Sequence, residues 1–270
     1  MNILNEIYAH KHNEVSNNKE LYPVKLLEQS TYFEAQVVSF CAYLKRKDKI
    51  GIIAEIKRSS PSEGNINAYI EVEQLSIGYM QAGASALSVL TDSKYFSGSN
   101  EDLMTARKFN YCPILRKDFI IDEYQIVEAK SIGTDAILLI AAALDPNETK
   151  HLAQFARSLG LEVLLEIHNK EELFSHSNQY VDAIGVNNRD LEDFSVSITT
   201  SAELAALIPE DFIKVSESGI NSPQTVVELA RMGYDGFLIG THFMRNAHPH
   251  FACSDFIKAV GRLMSKSSIS

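Results

Sequence analysis

The chain has 270 residues, 45% of them hydrophobic, which suits one large domain or two small ones. No run approaches the roughly 20 apolar residues of a membrane helix and no apolar h-region opens the sequence, so neither a membrane span nor a secretory leader is expected. Lys+Arg of 25 against Asp+Glu of 35 leave ten net negative charges, which argues against a general nucleic-acid binder but not against an anionic substrate held where a few cations converge.

Residues 1–50 read as two amphipathic helices, "ILNEIYAHKHNEVSNNK" and, after "LYP", "YFEAQVVSFCAYLKR". They can flank or plug the domain that follows, or fold over its open end as a substrate cover. From residue 51 short apolar runs alternate with amphipathic segments. The strand candidates are "GIIAEIK" (51–57), "ALSVLT" (86–91), "CPILRK" (112–117), "DAILLIA" (135–141), "LEVLLEI" (161–167), "VDAIGVN" (181–187), "FIKVSE" (212–217) and "GFLIG" (236–240). Most are apolar on both faces, as parallel strands covered by helices should be. Between them, "DPNETKHLAQFARSLG" offers Asp145 as N-cap, Pro146 at the first helical position and Gly160 as a stop, and "NSPQTVVELARMG" repeats the scheme with Ser222, Pro223 and Gly233. "DEYQIVEAKSIG" ends likewise at Gly133.

Eight strand–helix alternations over about 220 residues fit an α/β fold of the (β/α)₈ TIM-barrel type, typically about 250 residues long. A doubly wound open sheet would ordinarily show G-x-G-x-x-G after its first strand, and the sequence has none. The expectation is therefore a single domain over 1–270, with N-terminal helices over 1–50 covering the barrel mouth and the barrel itself over 51–270. Cys41, Cys112 and Cys253 are scattered and odd in number, which fits ordinary thiols in a reducing cytoplasm.

Active sites of such barrels lie at the C-terminal ends of the strands. In "GIIAEIKRSSPSEGN" strand alternation puts Ile53, Glu55 and Lys57 on one face, so two charges would point inward and need partners. Other strands also end in polar residues: Arg116-Lys117-Asp118 on the third, Glu166 on the fifth and Asn187-Asn188-Arg189 on the sixth. The seventh ends in Glu217-Ser218-Gly219 and the eighth in Gly240-Thr241. A lone charge at a strand end is ordinarily a solvated loop residue, but a closed barrel would aim all of these at one centre. Carboxylates at Glu55, Glu166 and Glu217 beside ammonium groups at Lys57 and Lys117 form a set suited to general acid–base chemistry, with Asn187 to orient a hydroxyl or carbonyl. Glycines after the last two strands, in "SESGI" and "LIGTHF", are where backbone N–H groups can approach a phosphate. Arg245 could assist there or serve the surface. Phe96 and Phe119 are core residues or the wall of an aromatic pocket. His168 lacks the further ligands a zinc site would want, and "HPH" (248–250) reads as a solvated loop, so no metal is expected.

Together "IIAEIKRSSPSEG", "LSVLTDSKYFSGS", "PILRKDFIIDEYQI", "DAILLIAAAL", "LEVLLEIHN", "IGVNNRDL", "KVSESGI" and "GFLIGTHFMR" resemble the indole-3-glycerol-phosphate synthase family of tryptophan biosynthesis, across nearly the whole chain. The resemblance implies a carboxy-lyase acting on 1-(o-carboxyphenylamino)-1-deoxyribulose 5-phosphate by ring closure, decarboxylation and dehydration, without cofactor or metal. It makes Lys117 the general acid on the carbonyl oxygen and Glu166 an acid/base for later steps. Glu55 and Lys57 become a substrate-binding pair active in dehydration, and Asn187 and Glu217 contacts to the substrate's hydroxyls and nitrogen. Arg189 would sit beside the carboxylate end. Ser60, Ser218, Gly219, Gly240 and Thr241 would contact substrate and phosphate, with Lys57 helping to neutralise the latter. Phe96 and Phe119 would wall the anthranilate ring. Thr241 stands where the family commonly has serine, and His242 where a less basic residue is expected. The competing readings are a Schiff-base phosphosugar aldolase using Lys57 or Lys117 on the same barrel, and a non-catalytic phosphosugar-binding barrel. No nucleic-acid or membrane partner is expected, and docking onto another pathway enzyme is not readable.

Overall fold

The computed structural model describes residues 3–190 and 193–267. Leu191, which closes the "IGVNNRDL" segment, and both ends of the 1–270 span lie outside the described residues. Each strand candidate forms a strand: β1 Ile52–Ile56, β2 Ala86–Leu90, β3 Ile114–Lys117, β4 Ala136–Ile140, β5 Glu162–Ile167, β6 Ala183–Asn187, β7 Ile213–Glu217 and β8 Gly236–Ile239. All pair in parallel, and β8 closes on β1 to complete the barrel.

Strand alternation divides the apolar residues into two cores. Ile53, Leu115, Leu138, Ile140, Leu164, Val215 and Leu238 fill the barrel, while Ile52, Ala54, Ile56, Ile137, Leu139 and Leu165 pack outward against the helices. The register then sets Leu90 beside Lys117, Ile140 beside Glu166 and Asn187 beside Glu217. Polar residues from several strands therefore end at one level. The surrounding helices start where expected. Asp145 caps Pro146–Ser158 in a full capping box with Glu148, and Ser222 caps Pro223–Arg231.

The N-terminal segment departs from its predicted form. Helix α1 spans Ile3–Leu21, a short α2 forms at Val24–Leu27 where no helix was expected, and the second expected helix shrinks to α3 Phe40–Leu44. Backbone donors of this stretch find better partners on the barrel: the N–H of Val38 donates to Asp135 at 2.7 Å and that of Cys41, in the first turn of α3, to Glu162 at 2.8 Å. Ser39 caps α3 by accepting from the N–H of Ala42. Phe40 and Leu44 join the cluster that fills the barrel interior. Among the described residues no helix is long and apolar enough to cross a membrane. "HPH" is not wholly loop, since Pro249 opens the last helix and His250 packs on Gly78.

Candidate active site

A cavity of about 430 Å³ opens at the C-terminal ends of the strands. Its lining includes every residue given a catalytic or binding role from the sequence: Glu55, Lys57, Ser60, Phe96, Lys117, Phe119, Glu166, Asn187, Arg189, Glu217, Ser218, Gly219, Gly240 and Thr241, whereas the strand-end residues Arg116 and Asn188 face away, Arg116 onto Glu128. Three groups of side chains divide the work of shaping it.

At the centre Lys117 bridges two carboxylates, 2.7 Å from Glu166 and 2.8 Å from Glu217. Asn187 donates to the other oxygen of Glu166 at 3.1 Å, and Lys57 pairs with Glu55 at 2.8 Å. Burial works against the charge on Lys117, but Glu166, Glu217 and Glu55 outweigh it and hold the ammonium protonated well above the ordinary lysine range. Burial likewise opposes ionisation of Glu166, yet Lys117 and His168 keep it below its usual value. Glu217 goes the other way. Burial, with Glu166 and Glu55 nearby, pushes it up to about 7 despite Lys117. Two carboxylates on one ammonium thus differ in acidity, the pattern that separates acid from base.

Glycine makes this packing possible. A Cβ on Gly185 would lie 2.3 Å from Oε1 of Glu217, and one on Gly240 would lie 2.2 Å from Oε1 of Glu55. Both positions must stay bare for the carboxylates to turn inward.

At the rim Glu63 accepts from Arg189 at 2.9 Å and from Arg245 at 3.4 Å. Glu63 belongs to a small hairpin in which Ser59–Ser60 pairs with Gly64–Asn65, so the Ser-Pro turn after β1 carries a carboxylate over the mouth. Beyond β7, Ser218 has φ 66, a left-handed conformation uncommon for a residue with a side chain. Buried Asn188 holds that turn by donating to the carbonyls of Glu217 at 2.9 Å and Ser218 at 3.1 Å. His242 also lines the cavity, and partial burial pulls it below the ordinary histidine value, which removes the basicity that its position put in question.

The third group is apolar. Phe96 and Phe119 meet with ring centroids 6.0 Å apart, and Ile3, Leu4 and Ile7 of α1 add to the lining. Tyr8 stands edge-on to Phe119 at 6.0 Å. Below them Lys11 of α1 is fully buried between Glu14, Asp92 and Asp118. The sequence reading singled out neither these α1 residues nor Glu63 as functional, and named Asn188 only as one of the polar strand-end residues. One signal was present: Leu4, Ile7, Lys11 and Val15 recur on one helical face, so Lys11 occupies a core position. The cysteines take no part. Burial pushes Cys112 and Cys253 up to about 12 and raises Cys41 further.

A closed parallel barrel whose mouth gathers lysine–glutamate pairs under an aromatic wall is an acid–base enzyme of the (β/α)₈ class. Comparison with known proteins narrows the class. The family model "Indole-3-glycerol phosphate synthase" matches residues 4–256. The indole-3-glycerol phosphate synthase of Bacteroides thetaiotaomicron is 46% identical over 258 residues, covering 96% of this chain and 98% of its own. That of Caldanaerobacter subterraneus subsp. tengcongensis is 41% identical over 259 residues, covering 96% and 98%. Among solved structures, tryptophan synthase subunit alpha from Legionella pneumophila matches with a TM-score of 0.60 at 14% identity, covering 84% of this chain and 97% of that one, a likeness of fold alone. The chain belongs to the indole-3-glycerol phosphate synthase family.

Proposed function

We propose that the chain is an indole-3-glycerol-phosphate synthase of tryptophan biosynthesis that closes, decarboxylates and dehydrates 1-(o-carboxyphenylamino)-1-deoxyribulose 5-phosphate by general acid–base catalysis alone. The observation that carries the residue roles is the ammonium of Lys117 bridged between Glu166 and Glu217. Ring closure requires the aromatic carbon bearing the carboxylate to attack the ketone, and protonation of the ketone oxygen makes that carbon electrophilic. Lys117, held protonated among buried carboxylates, is the donor. Loss of carbon dioxide then returns the electron pair to the ring. Dehydration needs a proton on the departing hydroxyl and a base to take one from the adjacent position. Glu166 acts as acid/base there, with Glu55 and Lys57 handling protons and binding substrate.

Asn187 and Glu217 contact the hydroxyls and nitrogen, and Arg189 the carboxylate end. Lys57, Ser60, Ser218, Gly219, Gly240 and Thr241 hold the substrate and its phosphate. Phe96 and Phe119 wall the anthranilate ring and keep its surroundings dry. The helix α1 covers the mouth of a single catalytic domain, which works in the reducing cytoplasm. An imine-forming role for Lys117 is disfavoured, because an amine held as ammonium is no nucleophile.

Turnover followed by indole fluorescence tests this reading, and the absence of tryptophan from the chain leaves little protein background. Wild type should form the product, and Lys117→Ala should lose at least about a hundredfold in kcat, as removal of a general acid does. Substrate binding without product would refute the assignment. Borohydride trapping of a substrate adduct on Lys57 or Lys117 would favour the aldolase instead.

A further inference from the structure

His168 follows β5 two residues after Glu166, and its ring is fixed from outside the barrel. Glu172, on the helix Lys170–His176, accepts from the backbone N–H of His168 at 2.7 Å and lies 3.2 Å from Nδ1 through the same oxygen. Asn169 steadies the other Glu172 oxygen at 3.2 Å. A carboxylate only accepts, so Nδ1 carries a proton. The opposite nitrogen, Nε2, is buried, has no hydrogen-bond partner, and stands 3.6 Å from Oε1 of Glu166. A neutral ring with Nδ1 protonated would aim a bare lone pair at a carboxylate. An imidazolium aims an N–H instead, and it balances two anions on either side.

Other groups act in the same direction. Glu217 adds to the negative field at His168, and Lys117, with Asn187, occupies the inward side of Glu166. Glu55 and Tyr8 complete the charged and titratable surroundings of the cluster. Burial opposes the charge on His168, but Glu172 and Glu166 raise it above its ordinary value.

We propose that His168 is a positioning residue of the catalytic centre: anchored by Glu172, its imidazolium holds Glu166 as a carboxylate turned toward Lys117 and Asn187. It does not line the cavity and acts only through Glu166. This inference rests on the role given to Glu166 above.

The test is the pH dependence of kcat and KM, from about pH 3 to 9 so that the limb of a carboxylate held below its ordinary range is covered, in wild type, His168→Phe and Glu172→Gln. Removing a cation beside Glu166 makes its carboxylate easier to protonate. The acid limb of kcat should therefore move to higher pH by about one unit in both variants, the scale of a lost opposite charge at this distance. KM should change less than about threefold, because neither group touches substrate. Glu172→Gln keeps the imidazole and decides the matter if His168→Phe does not fold. A fall in kcat with an unmoved acid limb would reduce His168 to packing and overturn the proposal. Glu166→Gln separates the two levels. If it keeps wild-type turnover, the role of Glu166 fails and the proposal fails with it; if it is inactive while the limb stays put in the other variants, the clamp alone fails.

Discussion

Replacing Lys11 by methionine should destabilise the protein by about 3 kcal/mol, the low end of the range for removing one partner from a buried ion pair. The side chain is 0% exposed, and its ammonium lies 2.8 Å from Asp118 and Glu14 and 3.0 Å from Asp92. Methionine keeps an unbranched apolar stem, one atom shorter, and removes the charge together with its N–H donors. The partners set the magnitude. Asp118 retains Arg116 at 3.1 Å, the Thr91 hydroxyl at 2.7 Å and the N–H of Phe119 at 2.8 Å, so it stays compensated. Asp92 is worse placed. One oxygen caps the N–H of Tyr95 at 2.6 Å, but the other has only the Lys11 contact.

The assay is urea unfolding at pH 7, where the midpoint should fall without change of slope. The sign with pH follows from the folded-state shifts. Burial opposes ionisation of Asp118, but Lys11 and Arg116 depress its value, so its stabilisation is present above the unfolded carboxylate range and lost as pH falls. Burial opposes the charge on Lys11, yet its carboxylates raise its value, so its contribution persists until the pH climbs past the ordinary lysine range. The penalty should be full at neutral pH and shrink below about pH 4, where an unpaired carboxylate protonates. Adding Asp92→Asn should recover part of the loss. A loss below about 1 kcal/mol, as for an exposed pair, would refute the claim that a buried charge cluster ties α1 to the barrel.

Gly185→Ala should leave the fold intact, because the displaced atom is the far end of the Glu217 side chain rather than backbone, yet lower kcat by up to about a hundredfold through misplacement of that carboxylate. Wild-type kcat in this variant would show that the position of Glu217 is unimportant. Glu217, at about 7 in the free protein, should rise further when an anionic substrate binds. Binding near pH 7 should therefore take up protons, seen as a calorimetric enthalpy that varies with the buffer's ionisation enthalpy. Asp145→Ala removes a capping box that does not line the cavity and should cost about 1 kcal/mol with turnover unchanged.

The strand-end residues were legible because barrel geometry turns sequence order into position. Once Ile53 and Glu55 share a face, closure brings Glu55, Lys117, Glu166, Asn187 and Glu217 to one level. Lys11 was not legible in the same way. A lysine on an N-terminal helix is ordinarily solvated, and Asp92 and Asp118 lie about a hundred residues on in other loops. Glu63 was hidden inside a turn motif that only the hairpin carries back over the mouth. The second N-terminal helix failed for a related reason. Its helical pattern was sound, but Asp135 and Glu162 capture the backbone donors of Val38 and Cys41 that a continuous helix would use.

Charge also separates binding from chemistry. The central group sets three glutamates against Lys57 and Lys117, so it has no surplus cation for an anionic ligand. A substrate carrying both a carboxylate and a phosphate would find like charge there if either group entered the centre. The rim offers the opposite field. Among the described residues, Arg189 and Arg245 share the single carboxylate of Glu63, two cations to one anion. Under the proposed function the anionic ends are therefore steered outward, to the arginines and the backbone after β7 and β8, with Lys57 the one member of the central group that meets the phosphate. The uncharged ketone and amine are left facing Lys117 and Glu166. Glu63→Gln would release both arginines and raise the rim's net charge by one. The outcome expected is a lower KM with kcat unchanged, since Glu63 contacts only groups that bind. A fall in kcat of more than about tenfold would mean that the hairpin carrying Glu63 positions the reacting centre as well.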